Sequence, residues 1–517
     1  MICSITALPT LGQRPHSTKL RPDQHKEETM STAYNNINQQ FINGVWRDGS
    51  SERSSDNINP YTQAHINTIQ LANQADVNEA YQSAQTAQKA WAATLHTERT
   101  ALVARVGEIL QQRGDEIINW LVQESGSTRL KAMIELGSAQ GITAEAATFP
   151  ARMVGALLPS NIPHQDSRYY RQALGVIAVI SPWNFPFHLS MRSVITAIAC
   201  GNSVVLKPAS DTPVTGGLLL AKIFEEAGLP AGVLNVVVGA GSEIGDYFVE
   251  HAIPRMVSFT GSTAVGKRVG ALAVGGRYIK RVALELGGNA PLVVLDDADL
   301  DLAVNIAAMG RFLHQGQICM STNRVIVDAK VYDAFVAKLV EKIKTVRYGN
   351  PDEMGTIVGP IINESQLSGL KKIIAQAEQD GAKLVLGGEI TNQVLPPHVF
   401  IDVDPQSALA KEESFGPVLP VIKARDEAHA LALANDTEYG LSSAVVTRNH
   451  ERGVAFALQI EAGMTHINDI TVDDQAHAPF GGEKNSGLGR FNGGWILEEF
   501  TRTHWVTVQT QARPYPL

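Results

Sequence analysis

Between Leu174 and Leu284 short runs of apolar residues alternate with stretches of helical character, and this alternation restricts the possible folds more than any other feature of the chain. The runs Leu174 to Ile180, Ser203 to Lys207, Val233 to Val238, Met256 to Thr260 and Arg281 to Leu284 are largely apolar at successive positions, so both faces of each strand need cover. Such strands, separated by helices that end near Cys200 and span about Pro213 to Ala227, predict an α/β fold with a doubly wound parallel sheet. A sheet of that kind binds nucleotides at the carboxyl ends of its strands, and a dinucleotide-binding domain is expected. After Glu285-Leu286-Gly287-Gly288 the alternation restarts with Pro291 to Leu295, Asn323 to Val327 and helices over about Tyr332 to Val346 and Glu364 to Gln379. A second α/β domain is therefore expected, with Cys319 near its beginning and the two glycines as a hinge.

A chain of 517 residues has room for two or three domains. Its net charge of -9, with no cluster of Lys and Arg, excludes a nucleic-acid surface. No apolar run reaches the roughly 18 residues of a membrane helix, so no membrane partner is expected. Three scattered cysteines, Cys3, Cys200 and Cys319, cannot form a disulfide framework, which points to a reducing, cytoplasmic setting. Residues 1–37 are expected to be a disordered extension, with Met30 a second plausible start. Ahead of the sheet, apolar spacing predicts a helix from Asp76, its cap, to Trp91, and another presenting Leu102, Val106, Ile109 and Leu110 on one face.

Two glycine-rich loops suit an anion at a helix start without being diagnostic. Gly261 to Lys267 matches a phosphate-binding loop until Arg268, which stands where a magnesium-holding Ser or Thr would be, and no metal site is expected. Gly239 to Gly245 misses the dinucleotide fingerprint by one position. Cys319, in Gly316-Gln317-Ile318-Cys319-Met320-Ser321-Thr322, is a thiol between small and polar neighbours, a setting that suits a nucleophile. Cys200, in an apolar run, reads as core.

In chain order stand Pro182-Trp183-Asn184-Phe185-Pro186, Lys207-Pro208, Phe259-Thr260-Gly261-Ser262, Glu285-Leu286-Gly287-Gly288, the Cys319 segment, Glu413-Ser414-Phe415-Gly416-Pro417 and Pro479 to Gly487. Together they resemble the aldehyde dehydrogenase superfamily over essentially everything after about residue 38. Ile467 to Asp474, Arg490-Phe491 and Glu498 to Thr501 are most similar to its benzaldehyde and vanillin dehydrogenase branch.

The resemblance implies NAD(P)-dependent oxidation of an aldehyde, aromatic in this branch, to the carboxylate. Cys319 would add to the carbonyl, Asn184 and the Cys319 N–H would hold the oxyanion, and Glu285 would activate water against the thioester. Asn184 as a helix cap and Glu285 as a hinge residue on a salt bridge are the competing structural roles. The implied cofactor contacts are Ser181, Pro182, Trp183, Asn184, Lys207, Ser210, Gly241, Phe259, Gly261, Ser262, Glu285, Leu286, Gly287, Glu413 and Phe415. Among them Lys207 is expected at the adenosine ribose, Ser262 at the pyrophosphate, Glu413 and Phe415 at the nicotinamide end, and Trp183 near the adenosine end. Ser210 stands where NAD-preferring members often carry Glu, which leaves NADP open, but no added Arg is evident for a 2'-phosphate and NAD is expected.

Phe185, Leu189, Arg192, Ile318, Met320, Ile470 and Val472 are expected to line the substrate tunnel, Arg192 facing a phenolic or carboxylate substituent unless it is a surface ion-pair residue. His188 reads as structural. The implied domains are 38–154 with 175–287 for the dinucleotide, 288–486 for catalysis, and 155–174 with 495–517 as a β element that joins subunits into a homodimer or homotetramer. An aliphatic or broad semialdehyde dehydrogenase, and a non-catalytic protein retaining the fold, remain the alternatives.

Overall fold

The computed structural model describes residues 33–516, so the expectation of an N-terminal extension falls almost wholly outside them. Five parallel strands form the centre of an eight-stranded sheet, in the spatial order Leu234–Val236, Ser203–Lys207, Val176–Ile180, Met256–Thr260, Arg281–Glu285. Short antiparallel strands close both edges: Gln40–Ile42 and Val45–Arg47 on one side, Gly487–Leu488 on the other. The strand order reverses between Val176–Ile180 and Met256–Thr260, which opens a crevice at their carboxyl ends.

A second sheet of seven strands is parallel except for Lys383–Leu386 at its edge. Ala290–Val294 and Thr322–Asp328 are neighbours in it, and Ala290 lies opposite Thr322. That register brings the chain just after Glu285 against the chain just after Cys319. A third, antiparallel sheet joins Ala156–Leu158, Gln165–Ala173 and Thr501–Gln509. Among the described residues no helix is long and apolar enough to cross a membrane.

Helix boundaries show which local signals win. The first helix runs Gln74–Ala92 and is capped by Asn73; Asp76 sits three residues in and returns a bond to the Asn73 N–H, completing a capping box. In the helix His96–Gln112 it is Val103, with Val106, Ile109 and Leu110, that is buried, and Leu102 lies at the margin. Every residue of the helix Pro186–Ala199 is buried, which at roughly 1.5–3 kcal/mol per large apolar side chain makes it a firm base for the residues at its start.

Gly287 and Gly288 are a packed crossing instead of the expected hinge. A Cβ on Gly287 would stand 2.4 Å from Glu413 Oε2, and one on Gly288 would stand 2.2 Å from the Cys319 carbonyl oxygen. The glycines are there because three segments meet too closely for a side chain.

Candidate active site

Strand register gathers the sequence motifs at one edge. Ile180 pairs with Lys207 on one side and Phe259 on the other, and Thr260 pairs with Glu285. Ser181 to Asn184, Gly261-Ser262 and Glu285 therefore leave the sheet together at the reversal of strand order. Lys207 is buried there, and burial lowers its ammonium to about 8. Ser262 precedes the helix Thr263–Gly275 in extended conformation and makes no side-chain cap, so the first-turn N–H groups can receive an anion. Gly241 opens the helix Gly241–Glu250 at the surface, and Ser210 is exposed in the turn after Lys207.

Several of the residues expected at the groove are packed against protein. Phe259 and Leu286 are buried in the core cluster beneath the crevice; a Cβ on Gly261 would lie 2.6 Å from the Phe259 ring, so Phe259 shapes the turn from below. Ser181 is also buried, its N–H donating to the Lys207 carbonyl. Trp183 packs edge-on against Phe415 at 5.3 Å, beside the residue expected at the nicotinamide end.

Asn184 does not cap the helix that follows it. Its side-chain Nδ2 donates to the Gln317 carbonyl at 2.9 Å, two residues before Cys319. The cap residue is Phe185, and Glu135 of a neighbouring helix accepts from Phe187 N–H at 2.8 Å and His188 N–H at 3.2 Å instead. An asparagine amide carries two N–H bonds, so one remains beside the thiol segment.

The loop before Cys319 is held in a costly shape. His314, Gln315 and Gly316 all have positive φ, and a Cβ on Gly316 would meet the Gly416 carbonyl oxygen at 2.3 Å. Gln315 bonds Pro360 O at 2.8 Å and Gly359 N at 2.9 Å, and Gln317 accepts from Ile362 N at 3.0 Å. Buried Arg311 donates to Thr322 O at 3.2 Å and Asn323 Oδ1 at 3.1 Å, and also to Ser414 Oγ and Gly416 O. It thereby joins the Cys319 segment to the Glu413-Phe415 segment. Glu413 accepts from Gly288 N–H at 2.8 Å, and its burial raises its carboxyl to about 7.

Cys319 is partly exposed, and Cys200 is buried in the core as expected. Burial raises the Cys319 thiol well above its ordinary value, and the carboxylates of Glu285 and Glu413 add to the effect, while Arg192 and the Met320 N–H oppose it. Glu285 is 1% exposed and neither carboxyl oxygen has a hydrogen-bond partner among the described residues, which removes the salt-bridged hinge alternative. Burial raises it to about 8; Arg192 and Arg490 work against the rise, and Asp474 adds to it. A carboxyl of this kind accepts a proton near neutral pH.

Arg192 is fully buried, not a surface ion-pair residue. Its guanidinium lies between the rings of Phe480 and Phe491, at 4.7 and 4.2 Å from their centroids. Asp474 stands 3.6 Å away, yet none of the three guanidinium nitrogens has a hydrogen-bond acceptor among the described residues. His188 is buried with Nε2 2.9 Å from Asp474. Leu189, Ile318 and Met320 are buried and Phe185 is half-buried, edge-on to His314; Ile470 packs on the core of the second sheet, and Val472 is half-buried. No cluster of three or more His, Cys, Asp or Glu suited to a metal occurs among the described residues.

Lys131, Glu135, Arg311, Gln315, Gln317 and Asp474 carry this geometry, and sequence reasoning did not single them out. The signals available were charged residues among apolar neighbours on helices, for Lys131, Glu135 and Arg311, and glutamines flanking Gly316; Asp474 lies in a loop and carried none.

The structure thus has a crevice at the reversal of strand order, an amide donor bonded to the loop before the Cys319 thiol, and a buried carboxyl with no hydrogen-bond partner among the described residues. The family model described as the aldehyde dehydrogenase family matches residues 46–506, and the chain belongs to that family of enzymes. It is 56% identical to a vanillin dehydrogenase of Corynebacterium glutamicum over 91% of this chain and 97% of the relative. It is 49% identical to a benzaldehyde dehydrogenase of Bacillus subtilis over 93% of this chain and 99% of the relative. The crystal structure of an NAD-dependent benzaldehyde dehydrogenase from Corynebacterium glutamicum superposes with a TM-score of 0.87 at 52% identity, covering 93% of this chain and 99% of that one.

Proposed function

We propose that this chain oxidises an aromatic aldehyde to its carboxylate with NAD, using Cys319 as nucleophile, Asn184 and the Cys319 N–H as oxyanion donors and Glu285 as general base. The observation that carries the reading is the unpartnered Glu285 carboxyl, raised to about 8 and electrostatically coupled to the Cys319 thiol. A buried carboxyl kept without a partner is costly, and a water to be activated accounts for it.

The residues at the crevice suit a dinucleotide: buried Lys207 at a strand end, the uncapped helix start at Ser262, and Glu413 with Phe415 near Gly288. These groups would hold it, and when bound it supplies the hydride acceptor. Cys319 gives up its proton to water and adds as thiolate to the carbonyl carbon, and the developing oxyanion is held by the second Asn184 N–H and the Cys319 N–H. Once the Cys319 acyl group is a thioester, Glu285 takes a proton from water, whose oxygen attacks the carbonyl and expels the thiolate.

The aromatic specificity is supported by the names of the relatives at 49–56% identity and by the apolar character of Phe185, Leu189, Ile318 and Met320 beside Asn184 and Cys319 in the chain. Arg192, a buried cation with Asp474 3.6 Å away and no hydrogen-bond acceptor among the described residues, suits a ring hydroxyl or carboxylate. The exposed Ser210 brings no cation for a 2'-phosphate, which supports NAD over NADP. Subunits join through the sheet of Gln165–Ala173 and Thr501–Gln509 into a homodimer or homotetramer, and the enzyme works in the cytoplasm.

Specificity constants for benzaldehyde, vanillin and succinate semialdehyde with each cofactor test the reading. The aromatic substrates with NAD are expected to be preferred by at least about tenfold. Equal or better use of the aliphatic semialdehyde would overturn the substrate assignment.

A further inference from the structure

The helix Arg129–Ala146 buries an ion pair that the chemistry above does not use. Lys131 and Glu135 expose no side-chain surface, and Nζ lies 2.5 Å from Glu135 Oε2. The ammonium also donates to Ser127 Oγ at 2.9 Å and to the Asn184 backbone carbonyl at 2.6 Å, so its three donors are committed. The other Glu135 oxygen accepts the N–H groups of Phe187 and His188, at 2.8 and 3.2 Å. The pair thus holds the Asn184-Phe185 peptide by its carbonyl and the chain just after it by two amides. Lys131 also lies 4.2 Å from the Phe185 ring centroid.

A buried ion pair is seldom a better stabiliser than an apolar replacement of equal volume. What this one fixes is the Cα of Asn184, whose side chain has one N–H spent on Gln317 O at 2.9 Å. With that bond and the backbone anchored, the direction of the remaining N–H follows.

We propose that Lys131 and Glu135 are a positioning pair that aims the Asn184 amide at the oxygen of the carbonyl undergoing addition by Cys319. The proposal rests on the reading of Asn184 as an oxyanion donor. Lys131 and Glu135 touch neither substrate nor cofactor in it; they act through Asn184, and a misplacement of about 1 Å in such a group can cost about a hundredfold in rate.

The test is a double-mutant comparison on the full enzyme. Lys131→Met is made alone and with Asn184→Ala, and the single-turnover NADH burst, KM, NADH affinity and thermal midpoint are measured for each. Lys131→Met/Glu135→Gln is made beside it, because it removes both charges and keeps an acceptor for Phe187; it carries the same comparison should Lys131→Met not fold.

Asn184→Ala should slow the burst by about a hundred- to a thousandfold. Lys131→Met should slow it by about ten- to a hundredfold, with KM and NADH affinity within about twofold of native. In the Asn184→Ala background the same change should cost less than about twofold, since the group it acts through is gone. An equal loss in both backgrounds, or a loss mirrored in NADH affinity, would overturn the positioning role while leaving the oxyanion reading intact. An undiminished burst in Asn184→Ala would remove the oxyanion reading and this proposal with it.

Discussion

Replacing Glu285 by glutamine keeps the shape of the side chain and removes its charge. Burial moves this carboxyl from its ordinary value of 4.5 to about 8. At about 1.36 kcal/mol per pH unit, that displacement of about 3.5 amounts to roughly 5 kcal/mol of disfavoured ionisation. The folded state holds the proton more tightly than the unfolded chain, so the cost is absent well below 4.5, grows as pH rises between the two values, and is complete above about 8. The glutamine variant has no such cost. Its stability relative to the native enzyme should therefore rise by roughly 1.4 kcal/mol per pH unit between about pH 5 and 8, reach about 3 kcal/mol near pH 7, and then level off. Thermal midpoints of the two proteins, measured across that range at matched ionic strength and concentration, give the comparison. In parallel, Glu285→Gln should retain the NADH burst while steady-state turnover falls by about a hundred- to ten-thousandfold, because nothing activates water against the thioester. A midpoint difference that does not change with pH would refute the protonated, buried carboxyl. A full steady-state rate without added thiol or coenzyme A would show that another base does the work.

Two further perturbations probe the walls of the site. Arg192→Met should lower kcat/KM for hydroxybenzaldehydes by about ten- to a hundredfold more than for benzaldehyde, the range for a lost hydrogen bond to a charged group; equal losses on both would remove the substituent contact. Gly316→Ala forces a side chain into positive φ, costing about 1–2 kcal/mol, and against the Gly416 carbonyl, so the thermal midpoint should drop and the NADH burst slow at least about tenfold. A native burst in that variant would mean the thiol loop does not need its strained shape.

The parallel sheet was legible because a strand covered on both faces must be apolar along its whole length, and that signal survives without any partner information. Its antiparallel edges were not: Gln40–Ile42, Val45–Arg47 and Gly487–Leu488 are two or three residues long and acquire strand character only by pairing. Asp76 and Asn73 are both good caps, and the structure uses both, in reciprocal roles that spacing alone does not order. Cys319, Asn184 and Glu285 were legible as members of motifs. Their supports were not, because a Lys and a Glu four apart on a helix read as an exposed pair until the helix is seen to be buried beside Asn184. Arg192 was open between surface and substrate for the same reason: burial is a property of the packed helix Pro186–Ala199, not of the residue.

The site's charged groups divide into two kinds, and the division bears on how the thiol becomes reactive. Lys131, Glu135 and Arg311 are buried with most of their bonds made, and they hold loops. Glu285 and Arg192 are buried with no side-chain hydrogen bond made among the described residues, Arg192 having the Asp474 carboxylate 3.6 Å away, and they are coupled to each other and to Cys319. Burial, with the Glu285 and Glu413 carboxylates, favours the protonated thiol, and the Arg192 guanidinium and the Met320 N–H oppose it. Any process that draws the Glu413 carboxylate toward an added hydrogen-bond donor, or holds a proton on Glu285, shifts that balance toward thiolate. Glu285 is therefore the group whose charge the reaction has to change, and the paired ones are those whose geometry it has to keep.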